Sequence, residues 1–342
     1  MKILNITTEV KYIPLRTPFK TALRETSHVE FVRVHVESEN GLVGIGEAPA
    51  TKAITGEDID TILSSINSIK YLFIGLVHQE PISTLHSMSE IGSSAKAALD
   101  MAFVHLLAQE KNEAIYEYFG AKELTPLKTD VTISLNNLDV MLRDAIGAFK
   151  DGMSILKVKL GSDIQHAVEV VENISKELPD AQIIVDANQA WSLEDSLSFI
   201  ESIGDIKIAL IEQPVVASDI KSLKIISDFS HIPILADETV FTLKDAKKVF
   251  ETKSAHMINI KLMKCGGVTK AIEILEYARE KKIDCMLGSM LEGPHSINSA
   301  LHLAMAYRDV IKYVDLDSPL LYKTRSDELE FDYRGCLIIY RN

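Results

Sequence analysis

Five charged residues, Lys159, Asp186, Glu212, Asp237 and Lys261, stand 27, 26, 25 and 24 residues apart, and each closes a short apolar run. One strand, one helix and two loops fill about that length, and strands that alternate with helices pair in parallel. Extending the pattern gives eight strand candidates: Val131 to Ser134, Ile155 to Lys159, Ile183 to Asp186, Ile206 to Glu212, Ile234 to Asp237, Met257 to Lys261, Cys285 to Gly288 and Tyr313 to Asp317. Amphipathic helices fit between them, with Ser192, Ser218 and Thr242 as caps and Val268 to Lys281 strongly periodic. Eight such units close an α/β, (β/α)8-type, TIM-like barrel in modified form, whose chemistry lies at the carboxyl ends of the strands. The charged markers fall at those ends.

Before the repeat the texture differs. Val29 to Val36 alternates with period two, Glu39-Asn40-Gly41 turns, and Leu42 to Glu47 returns, which predicts a hairpin. Helical spacing covers Asp58 to Phe73 and Ser93 to Gln109, with Ser93 as the expected N-cap. Phe19 to Thr21 and Ala48 to Glu57 show neither period and read as loops. The tail, Leu329 to Tyr340, reads as a hairpin about Arg334-Gly335, packed on the amino-terminal lobe. The expected division is an α+β capping domain over 1–125, joined by 321–342, and a barrel over 126–320.

The 342 residues are 46% hydrophobic and 25% charged, enough for a large core. A net charge of −13 argues against nucleic-acid binding, which needs a basic footprint. Met1 to Asn5 begins like a strand, with no signal-peptide core or membrane-length apolar run. Cys265, Cys285 and Cys336 form no Cys-x-x-Cys pair, so the expectation is reduced thiols, a cytoplasmic location and no zinc site. A homo-oligomer is left open.

Period two puts Lys157 and Lys159 on one strand face. Inside a barrel two ammonium groups need anions opposite them. Asp186, Glu212 and Asp237 end consecutive strands; each taken alone reads as a cap or loop acid, but three in register supply hard oxygen ligands for Mg2+. Like charge from Lys157 would favour a neutral Lys159, able to act as a base. Lys261, four strands further round, faces it across the barrel. Amines on opposite sides of a carbon can remove a proton from one face and return it on the other, and a metal at an adjacent carboxylate would stabilise the charge that develops. Asp315 and Asp317 share a strand face and suit a cationic group, or are loop acids. Gly266-Gly267 reads as a turn or as an anion cradle, His295 as structural, and Arg24 by default as a surface residue.

The chain resembles the enolase superfamily, muconate-lactonising branch, and within it the dipeptide epimerases acting on Ala-Glu. The resemblance covers nearly the whole chain. Its markers are Leu156-Lys157-Val158-Lys159, Val185 to Trp191, Ile211-Glu212-Gln213-Pro214, Ala236-Asp237-Glu238 and Asn259 to Gly267. It implies one Mg2+ per subunit on Asp186, Glu212 and Asp237, and acid/base catalysis by Lys159 and Lys261 with help from Lys157. It further implies that Asp315 and Asp317 hold a dipeptide's α-ammonium, that Arg24 in the Thr17 to Arg24 stretch pairs with an acidic side chain, and that Thr132 and the Ile54 loop contact substrate. The implied reaction is 1,1-proton transfer at the carboxy-terminal residue of an L,L-dipeptide, L-Ala-L-Glu foremost, with a link to murein peptides. The rivals are an o-succinylbenzoate synthase or muconate cycloisomerase, and a non-catalytic metal-binding barrel.

Overall fold

The structure is a computed structural model and describes residues 2–21, 25–78 and 80–341. Arg24 lies outside the described residues.

Strands β1 (Ile3–Lys20), β2 (Glu25–Ser38) and β3 (Val43–Pro49) form an antiparallel sheet in that order. The β1–β2 ladder is irregular between Pro14 and Phe19, where Pro14 and Pro18 offer no N–H to the partner strand. The turn into β3 has Gly41 at φ 78°. An Ala-rich helix, Ser93–Glu110, lies against this sheet. It can approach closely because β3 presents glycines: a Cβ at Gly44 would sit 2.0 Å from the Ala102 carbonyl oxygen, and one at Gly46 1.9 Å from that of Ala98. Two stretches expected as loops have structure, since Phe19 and Lys20 finish β1 and Lys52–Thr55 make a single helical turn after β3.

The repeat is a parallel sheet of eight strands in sequential order: β5 (Val131–Ile133), β6 (Ile155–Lys159), β7 (Gln182–Asp186), β8 (Ile208–Glu212), β9 (Ile234–Ala236), β10 (Met257–Lys261), β11 (Cys285–Gly288) and β12 (Ile311–Asp315). Asp130 N donates to Val314 O at 3.1 Å, which draws the first and last staves together. Three strands end earlier than expected, the first of them at Ile133 rather than Ser134. The eighth strand runs from Ile311 to Asp315, so Asp317 lies beyond it, and Asp237 likewise follows β9. After β12 the helix is only Ser318–Leu321; the chain then returns to the capping sheet, where Tyr322 bridges to Leu15 and Lys323 N donates to Pro14 O.

Helix starts follow local capping chemistry. Ser192 and Thr242 cap as expected, each in a capping box with Asp195 and Asp245. Two expected caps are corrected. Asp219 rather than Ser218 accepts from Ser222 N, and Ser93 is the first helical residue, its helix start being served instead by Glu57. The tail is a hairpin, β13 (Phe331–Arg334) and β14 (Leu337–Tyr340), but β14 pairs with the short strand β4 (Leu127–Lys128) beside the barrel rather than with the capping sheet. Contact with the capping sheet comes just before it, where Glu328 meets Arg33 through both guanidinium NH groups.

Inside the barrel Ile184, Leu210, Leu235, Met257 and Met286 form an apolar layer. By the period of two, the residues two positions on along the same strands are Asp186, Glu212, Asp237 and Asn259, which carry charge or an amide, and Gly288. That layer is the mouth.

Candidate active site

The parallel register aligns the mouth residues: Lys159 pairs with Asp186, Asp186 with Glu212, Lys261 with Gly288, and Gly288 with Asp315. Lys157 and Lys159 do share a face, while Leu156 and Val158 are buried on the other. Gly288 leaves room for its neighbours, because a Cβ there would lie 2.7 Å from Asn259 Oδ1 and 3.1 Å from Lys261 Cε.

Lys159 Nζ is 2.5 Å from Asp186 Oδ2, and Lys261 Nζ is 2.7 Å from Asp237 Oδ2. Lys157, fully buried, reaches Asp315 Oδ2 at 2.6 Å, Glu212 Oε2 at 2.7 Å and Asp186 Oδ2 at 3.3 Å. The anions expected opposite Lys157 are these three carboxylates, which enclose it. Burial would lower its pKa, but Asp315, Glu212 and Asp186 outweigh that and hold it raised. Burial likewise opposes, and Asp237 and Glu212 win, at Lys261. Asp237 is kept low against burial by Lys261 and Lys264. Glu212 is pushed up to about 7 by burial and then by the charge of Asp186. Burial and Asp237 push Glu238 to about 8.

Four residues whose contacts the sequence did not reveal hold this set in place. Asn259 Nδ2 donates to Glu212 Oε1 at 2.8 Å. Gln213, buried and at φ 36°, turns its side chain back so that Oε1 accepts from Asp237 N and Thr239 N. Lys264 Nζ lies 2.6 Å from Asp237 Oδ1. Asn188, at φ 44°, donates its backbone N–H to Asp186 Oδ1. Gln213, Asn259, Lys264 and Asn188 all sit in the motif stretches, which was the one signal available.

The mouth opens into a cavity whose lining includes Lys159, Asp237, Lys261, Asp315, Asp317 and Thr132 from the barrel. Phe19, Thr21, Thr51 and Ile54 close it from the capping side, and Ser289 to Leu291 from the loop after β11. Thr132 N donates to Asp317 Oδ2 at 2.7 Å. Thr132 and Ile54 are thus both on the wall, whereas Lys157 lies out of the lining. Lysines on two sides of one cavity, with buried carboxylates beside them, can exchange protons with a bound carbon acid. The acids also fit a hard divalent cation: Asp186, Glu212 and Asp237 are 0–2% exposed, and close by the buried oxygens Asn188 Oδ1 and Glu238 Oε2 meet no hydrogen-bond donor among the described residues.

Residues 4–120 match the family model for the mandelate racemase/muconate lactonizing enzyme N-terminal domain, and residues 140–336 match that for the enolase C-terminal domain-like fold. The chain belongs to the mandelate racemase/muconate lactonizing enzyme family. Within that family it is 65% identical over 338 residues to the L-amino acid-D/L-Glu epimerase of Sulfurimonas denitrificans, covering 99% of each chain. The structure is similar to a substrate-liganded complex of the L-Ala-D/L-Glu epimerase from Bacillus subtilis, with a TM-score of 0.93 and 37% identity, over 100% of this chain and 97% of that one. It is also similar to the dipeptide epimerase from Enterococcus faecalis complexed with Mg and L-Leu-L-Tyr, with a TM-score of 0.92 and 31% identity, over 100% of this chain and 98% of that one.

Proposed function

We propose that the protein is a Mg2+-dependent dipeptide epimerase that inverts the α-carbon of the carboxy-terminal residue of L,L-dipeptides, with L-Ala-L-Glu the foremost substrate. The observation that carries this reading is that Lys159 and Lys261, on strands four apart, line one cavity beside a row of buried carboxylates. The relatives named as D/L-Glu and dipeptide epimerases support the same chemistry.

In this reading Asp186, Glu212 and Asp237 hold the ion. What a bound Mg2+ supplies there is stabilisation of the negative charge that develops on the substrate carboxylate as the α-proton leaves. One lysine, as the free amine, takes that proton, and the C–H bonding pair stays with the substrate. The other lysine, as the ammonium, gives a proton to the opposite face of the carbon, so configuration inverts with no net change in composition. Lys157 contributes fixed positive charge beneath the acids. Asp315 and Asp317 receive the dipeptide's α-ammonium, with Thr132 holding Asp317 in place. Ile54 covers the site, and Arg24, whose near neighbours Phe19 and Thr21 line the cavity, pairs with the glutamate side chain. The two acids at the ammonium end favour an epimerase of free dipeptides over a cycloisomerase or synthase of the same branch, whose substrates bring no amine.

The proposal extends to a role in metabolism of murein peptides, which follows from L-Ala-L-Glu as the foremost substrate, and to a cytoplasmic location, with which the free cysteines Cys265, Cys285 and Cys336 agree. The deciding experiment is incubation of L-Ala-L-Glu with protein and Mg2+ in D2O. The expected products are both epimers carrying deuterium at the glutamate α-carbon. Recovery of unlabelled, unepimerised dipeptide would reject the reading.

A further inference from the structure

Asp130 has no part in the reaction as derived, yet it is a buried acid beside the two that face the substrate. It is 1% exposed, and neither of its carboxyl oxygens meets an N–H or O–H donor among the described residues. Carboxyl oxygens of Asp130, Asp315 and Asp317 all lie within 4.8 Å of one another. The backbone causes this. Asp130 N is bonded to Val314 O, Leu316 N to Thr129 Oγ1 and Thr132 N to Asp317 Oδ2, so the seam between the first and last staves brings the three side chains together.

Three buried carboxylates this close together, served by one lysine that also meets Glu212 and Asp186, repel one another strongly if all are ionised. Two of the three have partners suited to a negative charge: Asp315 has Lys157 Nζ at 2.6 Å and Asp317 has the Thr132 N–H at 2.7 Å. Asp130 has none. A buried carboxyl without a donor is stable as the neutral acid, and its O–H then needs an acceptor, which the adjacent Asp315 provides.

We propose that Asp130 is a positioning residue that remains protonated and donates its O–H to Asp315, fixing that carboxylate for the α-ammonium of the dipeptide. The directions of titration agree, with Asp130 raised well above the usual range by burial and then by Asp315, and Asp317 raised to about 6 by burial and Asp315. Asp315 is held low by Lys157 against burial. With the proton on Asp130 and Lys157 matching Asp315, one uncompensated charge, that of Asp317, is left to meet one substrate cation. Full ionisation would instead leave two adjacent negative charges without partners. The inference rests on Asp315 and Asp317 as the ammonium site.

The test uses the Mg2+-loaded enzyme and two variants. Asp130→Asn keeps a neutral N–H donor towards Asp315, whereas Asp130→Ala removes it. Infrared difference spectra of wild type against Asp130→Asn should contain the carbonyl stretch of a protonated carboxylic acid, sensitive to H/D exchange. Asp130→Asn should retain the wild-type KM for L-Ala-L-Glu within about threefold, while Asp130→Ala raises it about tenfold or more with kcat less affected, as expected for loss of a buried hydrogen bond to a charged acceptor. Absence of the acid band, or equal damage in both folded variants, overturns the proposal. So does calorimetry that finds two Mg2+ sites in wild type and one in Asp130→Ala, since the triad would then hold a cation. If the band is present but KM is unchanged in both variants, the positioning role is overturned; Asp317→Asn tests the ammonium site separately, and an unchanged KM there would sink that assignment and not the proton on Asp130.

Discussion

Lys264 Nζ lies 2.6 Å from Asp237 Oδ1 and donates to the carbonyl oxygen of the same residue, so one buried ammonium grips Asp237 by side chain and backbone. Lys261 takes the other carboxylate oxygen. With Gln213 holding Asp237 N, the residue that follows β9 has little freedom left, although it is outside the strand ladder. If Asp237 is a metal ligand, Lys264 orients it from behind. Replacing Lys264 with Met should weaken Mg2+ binding by about 10- to 100-fold, the usual cost of losing a partner that orients a ligand. Calorimetric Mg2+ titration of the folded variant checks this, and an unchanged affinity would refute it.

Glu57 plays a comparable part for the capping loop. Its two oxygens accept from Ser94 N at 2.7 Å and Ala95 N at 3.0 Å, the free donors of the Ser93–Glu110 helix start, and Thr51 N donates to Glu57 O. The loop that carries Thr51 and Ile54 is therefore tied to the helix at one end. A Cβ at Gly92 would fall 2.3 Å from the Glu57 carboxyl carbon. Gly92→Ala should displace Glu57, cost about 0.5–2 kcal/mol as a lost cap does, and raise KM severalfold with a smaller effect on kcat. Steady-state kinetics with a parallel urea melt separate the two effects. A melt shift without a KM change would show that the loop holds its place without Glu57.

These contacts mark where the sequence stops being readable. The barrel was legible because a charged layer recurs at the strand ends with the repeat of one strand and one helix, and the β2–β3 hairpin because alternation is strict and Gly41 marks the turn. Capping was less so: Glu57 serves a helix 37 residues away, which no local pattern encodes. Asp317 was read as continuing the period of β12, but the chain leaves the sheet after Asp315, ahead of Pro319. Gln213 reaches Asp237 N only through a backbone at positive φ, a conformation its residue type does not announce. Gly266-Gly267 left two readings, and both contain part of the answer. It is a turn, with φ 93° and 118°, and the helix start behind it does receive an anion, the buried Asp100 of the capping helix, which accepts from Thr269 N.

His295 gives a pH prediction away from the mouth. Burial, followed by the charge of Arg33, pushes the ring down to about 4 from 6.5. Between those values the unfolded chain binds the proton that the folded one refuses, so stability present above pH 6.5 is lost as pH falls towards 4 and the loss is complete below it. The shift corresponds to roughly 2–3 kcal/mol once partial exposure is discounted. His295→Gln should flatten the difference between urea midpoints at pH 7 and pH 4.5 relative to wild type. Equal pH dependence in both proteins would refute the assignment, since the carboxylates are common to the two.

The two cavity lysines make the sharpest prediction, because inversion needs both and exchange needs only one. Lys159→Ala and Lys261→Ala should each lower epimerisation by about 10²- to 10⁴-fold, the range for loss of a positioned acid/base group. With one amine gone, a proton removed by the other can return only from the same side. Each variant should therefore wash deuterium into one epimer of Ala-Glu with retention and leave the other epimer unlabelled, and the two variants should choose opposite epimers. Mass spectrometry after chiral separation reads this directly. Labelling of both epimers by a single-lysine variant would mean that the amines do not stand on opposite faces of the α-carbon, and a different pair of groups would have to carry the proton.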